Sequence, residues 1–173
     1  MARSFFYTCT NGLIVKPLYL GFIDDPKSPQ TIFTSEVSEK DLQDIDSVCF
    51  APSIFQEKVL KTFDLRVTVI GEKIFTAKIE TNTLPLNIPD WRYASLNQLN
   101  HSVFTLPNEI EKACICLVKR LNLEFGAIDL AVDGNGDYWF FEINPNGQWA
   151  WLETLLSFPI SKAIVDLLLD SPK

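Results

Sequence analysis

The sequence predicts an α+β fold, mainly antiparallel sheet flanked by helices, and three observations carry that prediction. Residues 64–70 and 74–80 alternate apolar and polar side chains on either side of a turn containing Gly71. Residues 125–132 and 138–143 repeat the arrangement around Asp133-Gly134-Asn135-Gly136-Asp137. Between these two hairpins, Ile110, Ala113, Cys114, Leu117, Val118 and Leu121 recur at helical spacing and form one apolar stripe.

Earlier elements are shorter. Leu13-Ile14-Val15 follows the turn formers Asn11-Gly12 and reads as a strand. Asp24 to Pro29 reads as a loop, and Thr31-Ile32-Phe33-Thr34 as a second strand. Ser38, with Asp41 three residues on, marks a helix start, because a hydroxyl and an acid at that spacing cap exposed backbone N–H groups. After Pro52, the run Ser53-Ile54-Phe55-Gln56 is strand-like.

In the first hairpin, Leu65, Val67, Val69, Phe75, Ala77 and Ile79 all carry odd numbers. Placing them on one buried face requires a three-residue loop, Gly71-Glu72-Lys73. That register sets Arg66 opposite Lys78 and Asp64 opposite Glu80. Two cations side by side repel, so this register predicts an anion over that face. Residues 81–103 hold Pro85 and Pro89 and show little period, which predicts a long functional loop. Pro107 suits a first helical turn, and a last apolar helix spans 160–169. The predicted division is a small subdomain over 1–53 and a larger one over 54–173.

Composition narrows the function. The 173 residues include 15 Lys and Arg against 22 Asp and Glu, a net charge of −7. Polyanions are not attracted to such a chain, so neither nucleic acid nor an anionic membrane is an expected partner. No run approaches the roughly 20 apolar residues of a membrane span, and the first residues lack an apolar signal core, so a cytoplasmic location is expected. Cys9, Cys49, Cys114 and Cys116 form no CxxC pair, and His101 is the one histidine; ordinary reduced thiols are expected.

The second hairpin carries the chemistry. Strand alternation puts Asp129 on one face with the small Ala127 and Ala131, and Glu142 shares a face with Asn144 just before Pro145. Asp, Glu and Asn offer only hard oxygen ligands, which suit magnesium completed by phosphate and water. The competing reading is two solvated acids on an open sheet face. The surrounding Trp139, Phe140 and Phe141 weigh against it. The 133–137 loop lacks the bidentate Glu of an EF-hand calcium loop.

Phe125-Gly126-Ala127-Ile128-Asp129 with Phe140-Phe141-Glu142-Ile143-Asn144-Pro145-Asn146-Gly147 resembles the metal-binding hairpin of the ATP-grasp superfamily. The extension Gln148-Trp149-Ala150-Trp151-Leu152-Glu153 is similar to the microviridin-type (graspetide) ligases that crosslink ribosomal precursor peptides. Segments 55–59, 64–69 and 90–92 resemble that family in the same order, over nearly the whole chain. The resemblance implies an ATP-grasp C-terminal region, with 1–53 as a partial central subdomain and 54–173 as the C-terminal subdomain. It implies ATP and Mg2+ as cofactors, with Asp129, Glu142 and Asn144 on the metal. Lys16, Gln56 and Glu57 would contact nucleotide. Arg66 and Lys78 would face the γ-phosphate, and Arg92 would touch substrate or phosphate. The implied reaction activates a carboxylate as an acyl phosphate, which an amine or hydroxyl then attacks.

Plainer readings stand beside these. Lys16 also fits a strand-end surface lysine, Glu57-Lys58 an exposed pair, and Trp149 and Trp151 packing residues. Family enzymes are longer and carry an N-terminal domain and an earlier lysine-bearing segment, so a truncated enzyme, poorly active alone, is expected. The phosphate-covering lid, expected at Tyr19 to Pro29, has one glycine and two prolines and departs from the family's small-residue pattern. A noncatalytic module binding a peptide or a full-length ligase, and an amino-acid-adding ATP-grasp ligase, are the alternatives. A homodimer would cover the side left exposed.

Overall fold

The computed structural model describes residues 2–18, 22–25, 27–28, 30–81 and 89–170. Five of the eleven residues of the expected lid (19–21, 26 and 29), and residues 82–88 of the expected functional loop, lie outside these.

The chain forms two compact units, one from Met1–Leu60 with Asn82–Gln98 and one from Lys61–Thr81 with Leu99–Lys173. In the first, a short helix α1 (Ala2–Phe6) precedes strand β1 (Leu13–Pro17), and β2 (Phe22–Ile23) pairs with β3 (Gln30–Thr31). Next come β4 (Ser35–Val37), 3-10 turns over Asp41–Phe50, and β5 (Ser53–Glu57). A three-stranded antiparallel sheet runs β4-β1-β5. One of its faces buries Leu13, Val37 and Leu42, with Val15 and Phe55 packed against them. Ser38 and Asp41 meet as their spacing predicts: Ser38 N and Oγ donate to Asp41 Oδ2 at 2.8 and 2.7 Å. The strand expected over Thr31–Thr34 ends early. Phe33 instead stacks edge-on against Tyr93, and Thr34 Oγ1 donates to Asp90.

The second unit is built on β6 (Lys61–Ile70), β7 (Lys73–Glu80), β8 (Asn100–Val103), helix α2 (Asn108–Arg120), β9 (Phe125–Asp133), β10 (Tyr138–Asn144), α3 (Ala150–Leu156) and α4 (Ile160–Asp170). Its five-stranded sheet has the order β10-β9-β6-β7-β8, antiparallel throughout. β8 lies inside the segment read as a loop. Its residues satisfy the outer edge of β7, which would otherwise leave a row of backbone groups unpaired.

The β6–β7 register corrects the sequence reading. Ile70 pairs with Lys73, so the loop has two residues, with Gly71 at φ +57° in the first position, where a tight II′-like turn demands a positive φ. Arg66 therefore faces Ala77, Leu65 faces Lys78 and Asp64 faces Ile79. The one-residue difference splits the odd-numbered set between two faces. Leu65, Val67 and Val69 join Ile128, Leu130 and Val132 against Cys114 and Val118 of α2. Ala77 and Phe75 join Ile70 against Leu152 of α3 and Ile160 and Ala163 of α4. Because both faces carry helices, apolar residues occur on both, and alternation alone does not reveal which strand faces which.

Core burial and thiol exposure give two expectations. Ile128, fully buried between β6 and α2, should cost about 2–5 kcal/mol as Ile128→Ala in urea unfolding, while exposed Val165→Ala should stay within about 0.5 kcal/mol. Cys114 is buried, and burial, with the Glu111 charge beside it, pushes its pKa up to about 11, whereas Cys49 and Cys116 are exposed. Since the thiolate is the reactive form, iodoacetamide at pH 8 should label Cys49 and Cys116 well before Cys114. Labelling of Cys114 at the rate of Cys116, read by mass spectrometry, would contradict this.

Candidate metal and anion site

Arg66 on β6 and Asp129 on β9 stand directly opposite each other in the centre of the sheet. Arg66 Nη1 donates to Asp129 Oδ1 at 2.8 Å, and the two residues are only 8% and 7% exposed. A charge-assisted bond between buried partners is short and costly to break. Arg66 Nη2 also donates to the Gln148 carbonyl at 3.3 Å, while Arg66 Nε is buried without a hydrogen-bond acceptor among the described residues.

β10 adds the other two oxygen donors. Glu142 faces Asp129 and Asn144 faces Ala127, so all three side chains share the Arg66 face of the sheet. Strict alternation from the Asp133–Asp137 turn would put Glu142 opposite Ile128, in the apolar core. A β-bulge prevents this. The register shifts between Phe140 and Glu142, leaving Phe141 as an extra residue. Phe141 lies beside the Lys61 ammonium, 5.8 Å from ring centroid to Nζ. Glu142 and Asn144 are exposed. Asn144 Oδ1 accepts from the Asn146 N–H at 2.8 Å, and Gly147 N donates to the Asn144 carbonyl, so the chain turns back over the sheet at once.

Lys78 is not beside Arg66. Its partners are Leu65 and Ser102, which puts it on the opposite face, that of α2. There its ammonium lies 4.6 Å from the Phe63 ring and bonds Glu80 at 2.7 Å, and the Lys78 hydrogen bond holds the Glu80 carboxyl below its ordinary pKa. The expected pair of adjacent cations is replaced by one cation and one carboxylate.

In the first unit, β1 and β5 pair so that Lys16 faces Ile54 and Ile14 faces Gln56. Lys16 and Gln56 therefore share the face away from Leu13 and Phe55. Glu57 lies on the other side, and its Oε1 accepts the backbone N–H groups of Thr10 and Asn11 at 2.9 and 3.3 Å. Arg92 sits in the 3-10 turn Trp91–Tyr93 with its side chain half exposed. Its Nε and backbone N donate to Asp90 Oδ1 at 2.9 and 3.1 Å. Burial alone would raise the Asp90 carboxyl; the Arg92 hydrogen bond and charge outweigh it and hold the pKa low.

The donor set can be tested against magnesium. Among the described residues no three His, Cys, Asp or Glu side chains form a metal cage. Two carboxylates and an amide fit a cation that keeps waters and phosphate oxygens as its remaining ligands, which is how magnesium is usually held. Sequence reasoning missed the Lys61–Asp64 pair at 2.7 Å, the bulge at Phe141 and the Gln148 carbonyl on Arg66. The aromatic run Trp139-Phe140-Phe141 hinted at a bulge, because strict alternation would place a phenyl ring beside Asp129. A groove of about 360 Å³ along α2, lined by Lys112, Ile115, Cys116, Lys119 and Arg120, belongs to the helix and not to these carboxylates.

No protein-family profile and no curated protein matches the sequence. Solved structures do. Over 98% of its length the chain matches macrocyclase MdnC of Microcystis aeruginosa MRC, bound with precursor peptide MdnA, at 34% identity and a TM-score of 0.82. A RiPP-associated ATP-grasp ligase of Chryseobacterium gregarium, in complex with ADP and a leader and core peptide, matches over 99% at 30% identity and a TM-score of 0.88. Macrocyclase MdnB of Microcystis aeruginosa MRC matches over 98% at 31% identity and a TM-score of 0.71. The chain covers 52%, 52% and 50% of those proteins, about half their length. No described helix is long and apolar enough to cross a membrane.

Arg66 and Asp129 give a prediction that needs no ligand. Arg66→Met removes the cation hydrogen-bonded to the buried Asp129 carboxylate and should cost about 3–5 kcal/mol in urea unfolding. Adding Asp129→Asn should recover a large part of that loss. A double variant less stable than Arg66→Met would contradict the pairing.

Proposed function

We propose, from the premise that the chain belongs to the ATP-grasp ligases that modify ribosomally made peptides, that it supplies the nucleotide- and magnesium-binding part of a carboxylate-activating ligase. The observation that carries this is the sheet face on which Arg66, Asp129, Glu142 and Asn144 lie together. One fixed cation beside three hard oxygen donors matches a phosphate group travelling with a divalent metal. The relatives in complex with ADP and with precursor peptides support the same ligands here.

In this reading Asp129, Glu142 and Asn144 hold magnesium, which supplies neutralisation of the charge on the transferring phosphoryl group. Arg66 fixes a positive charge on that face, kept in place by Asp129 and the Gln148 carbonyl. Lys16 and Gln56, sharing one face of their sheet, bind nucleotide, and the Glu57 carboxylate shapes the 10–11 turn next to them. Arg92, braced by Asp90, binds a substrate carboxylate or phosphate. Lys78 acts from the other sheet face and does not share a phosphate with Arg66. The larger unit serves as the C-terminal ATP-grasp subdomain and the smaller as the central one. A peptide carboxylate attacks the γ-phosphorus to give an acyl phosphate and ADP. An amine or hydroxyl of the same peptide then displaces phosphate, forming a microviridin-type crosslink. All partners in this scheme are soluble, which agrees with a cytoplasmic enzyme.

Calorimetric titration with ATP, with and without magnesium, tests the reading. Magnesium should tighten ATP binding by the folded chain, and Asp129→Asn/Glu142→Gln should remove at least tenfold of that gain. A well-folded wild type that ignores ATP and magnesium together would refute it.

A further inference from the structure

We propose that Gly147 is a positioning residue of this site, the point at which one turn sets both the Arg66 guanidinium and the Asn144 amide. This rests on the reading above, in which Arg66 faces a phosphate and Asn144 a metal. Gly147 is buried, and a Cβ placed on it would lie 2.4 Å from the Ala127 Cβ, 2.9 Å from Arg66 Nη2 and 3.4 Å from the Asn144 carbonyl oxygen. Non-bonded carbon atoms in folded proteins do not approach to 2.4 Å. The demand is for space and not for an unusual backbone: Gly12, Gly71 and Gly136 take positive φ, and Gly147 does not. At Gly134, by contrast, a Cβ would meet nothing within 4 Å.

The consequences follow from what the turn carries. It leaves the sheet at Asn144, whose Oδ1 accepts from Asn146 N, and reaches Gln148, whose carbonyl accepts from Arg66 Nη2. Asp129 holds the other end of the guanidinium through Nη1. Two acceptors on different strands and loops fix the plane of the cation before any ligand arrives, which removes reorganisation from the binding step. A side chain at 147 must lift the turn off Ala127. That would draw the Gln148 carbonyl away from Arg66 and swing Asn144 at the same time. Ala127 belongs to the same fit, because it pairs with Asn144 on β10 and Thr68 on β6 and its methyl is what Gly147 rests on.

Two measurements decide this, the first free of any ligand. The coupling between Arg66 and Asp129 is read from urea unfolding of Arg66→Met, Asp129→Asn and their double variant, in the native sequence and again with Gly147→Ala. A turn that holds the guanidinium predicts that Gly147→Ala lowers the coupling by at least half. If Gly147→Ala lowers overall stability and leaves the coupling unchanged, the residue is merely structural and the proposal is overturned. The second measurement is calorimetric titration with ADP, with and without magnesium. Gly147→Ala should reduce the magnesium-dependent gain in affinity at least fivefold. Adding Ala127→Gly, which removes the 2.4 Å encounter, should restore most of the gain. Full magnesium dependence in Gly147→Ala, or no restoration by Ala127→Gly, overturns the proposal. If wild type shows no magnesium dependence, the functional reading fails, and the ligand-free coupling still decides the role of Gly147.

Discussion

The ion pair between Arg66 and Asp129 fixes how the two central strands of the larger sheet can align. Both side chains are almost completely buried, and each is the other's counter-ion across the β6–β9 ladder. Sliding one strand by a single residue would turn one charge into the apolar core against α2 and break the ion pair. Either outcome costs several kcal/mol, so the register is specified by charge as well as by packing. β7, β9 and β10 then take their places from β6 outward. The oxygen donors of the candidate site are therefore set from the middle of the sheet and not from its loops.

That sheet divides its two faces. One is given mainly to packing, with Leu65, Val67, Val69, Ile128 and Leu130 beneath α2 and the Lys78–Glu80 pair on the same face. The other is shared. At one end Ile70, Phe75 and Ala77 lie under α3 and α4. At the other, Arg66, Asp129, Glu142 and Asn144 form a polar strip. Two local devices produce this division. The two-residue turn at Gly71 sets the parity of β7, and the bulge at Phe141 sets the parity of the end of β10. Each changes the count by one residue, and in a pleated strand one residue is the difference between core and site.

In the smaller unit several carboxylates are committed to holding the chain. Glu57 caps the 10–11 turn, and Asp90 braces Arg92 and accepts from Thr34. Lys16 and Gln56 share a sheet face with Glu36, which is paired with Lys58. Arg92 keeps a fixed backbone and a half-exposed side chain, a combination suited to meeting an anion without first losing much rotamer freedom.

Local pattern in the sequence placed the strand at 13–15, the helix after Pro107, the two hairpins and the last helix, and singled out Asp129, Glu142 and Asn144 as candidate oxygen donors, because periodicity and residue chemistry are properties of short segments; it missed β4, β8 and α3. The resemblance of the second hairpin and its extension to graspetide ligases was likewise legible, and the fold bears it out. Cross-strand alignment was not legible. The odd-numbered apolar run of 65–79 is satisfied by more than one register when helices cover both faces, so only packing against α2 and α3 decided that Lys78 turns away from Arg66. The Arg66–Asp129 bond, the Lys61–Asp64 pair and the seat of Gly147 on Ala127 also came from tertiary structure alone. They join residues that are distant in the chain or turned toward each other by a bulge, and a one-dimensional pattern holds no record of either.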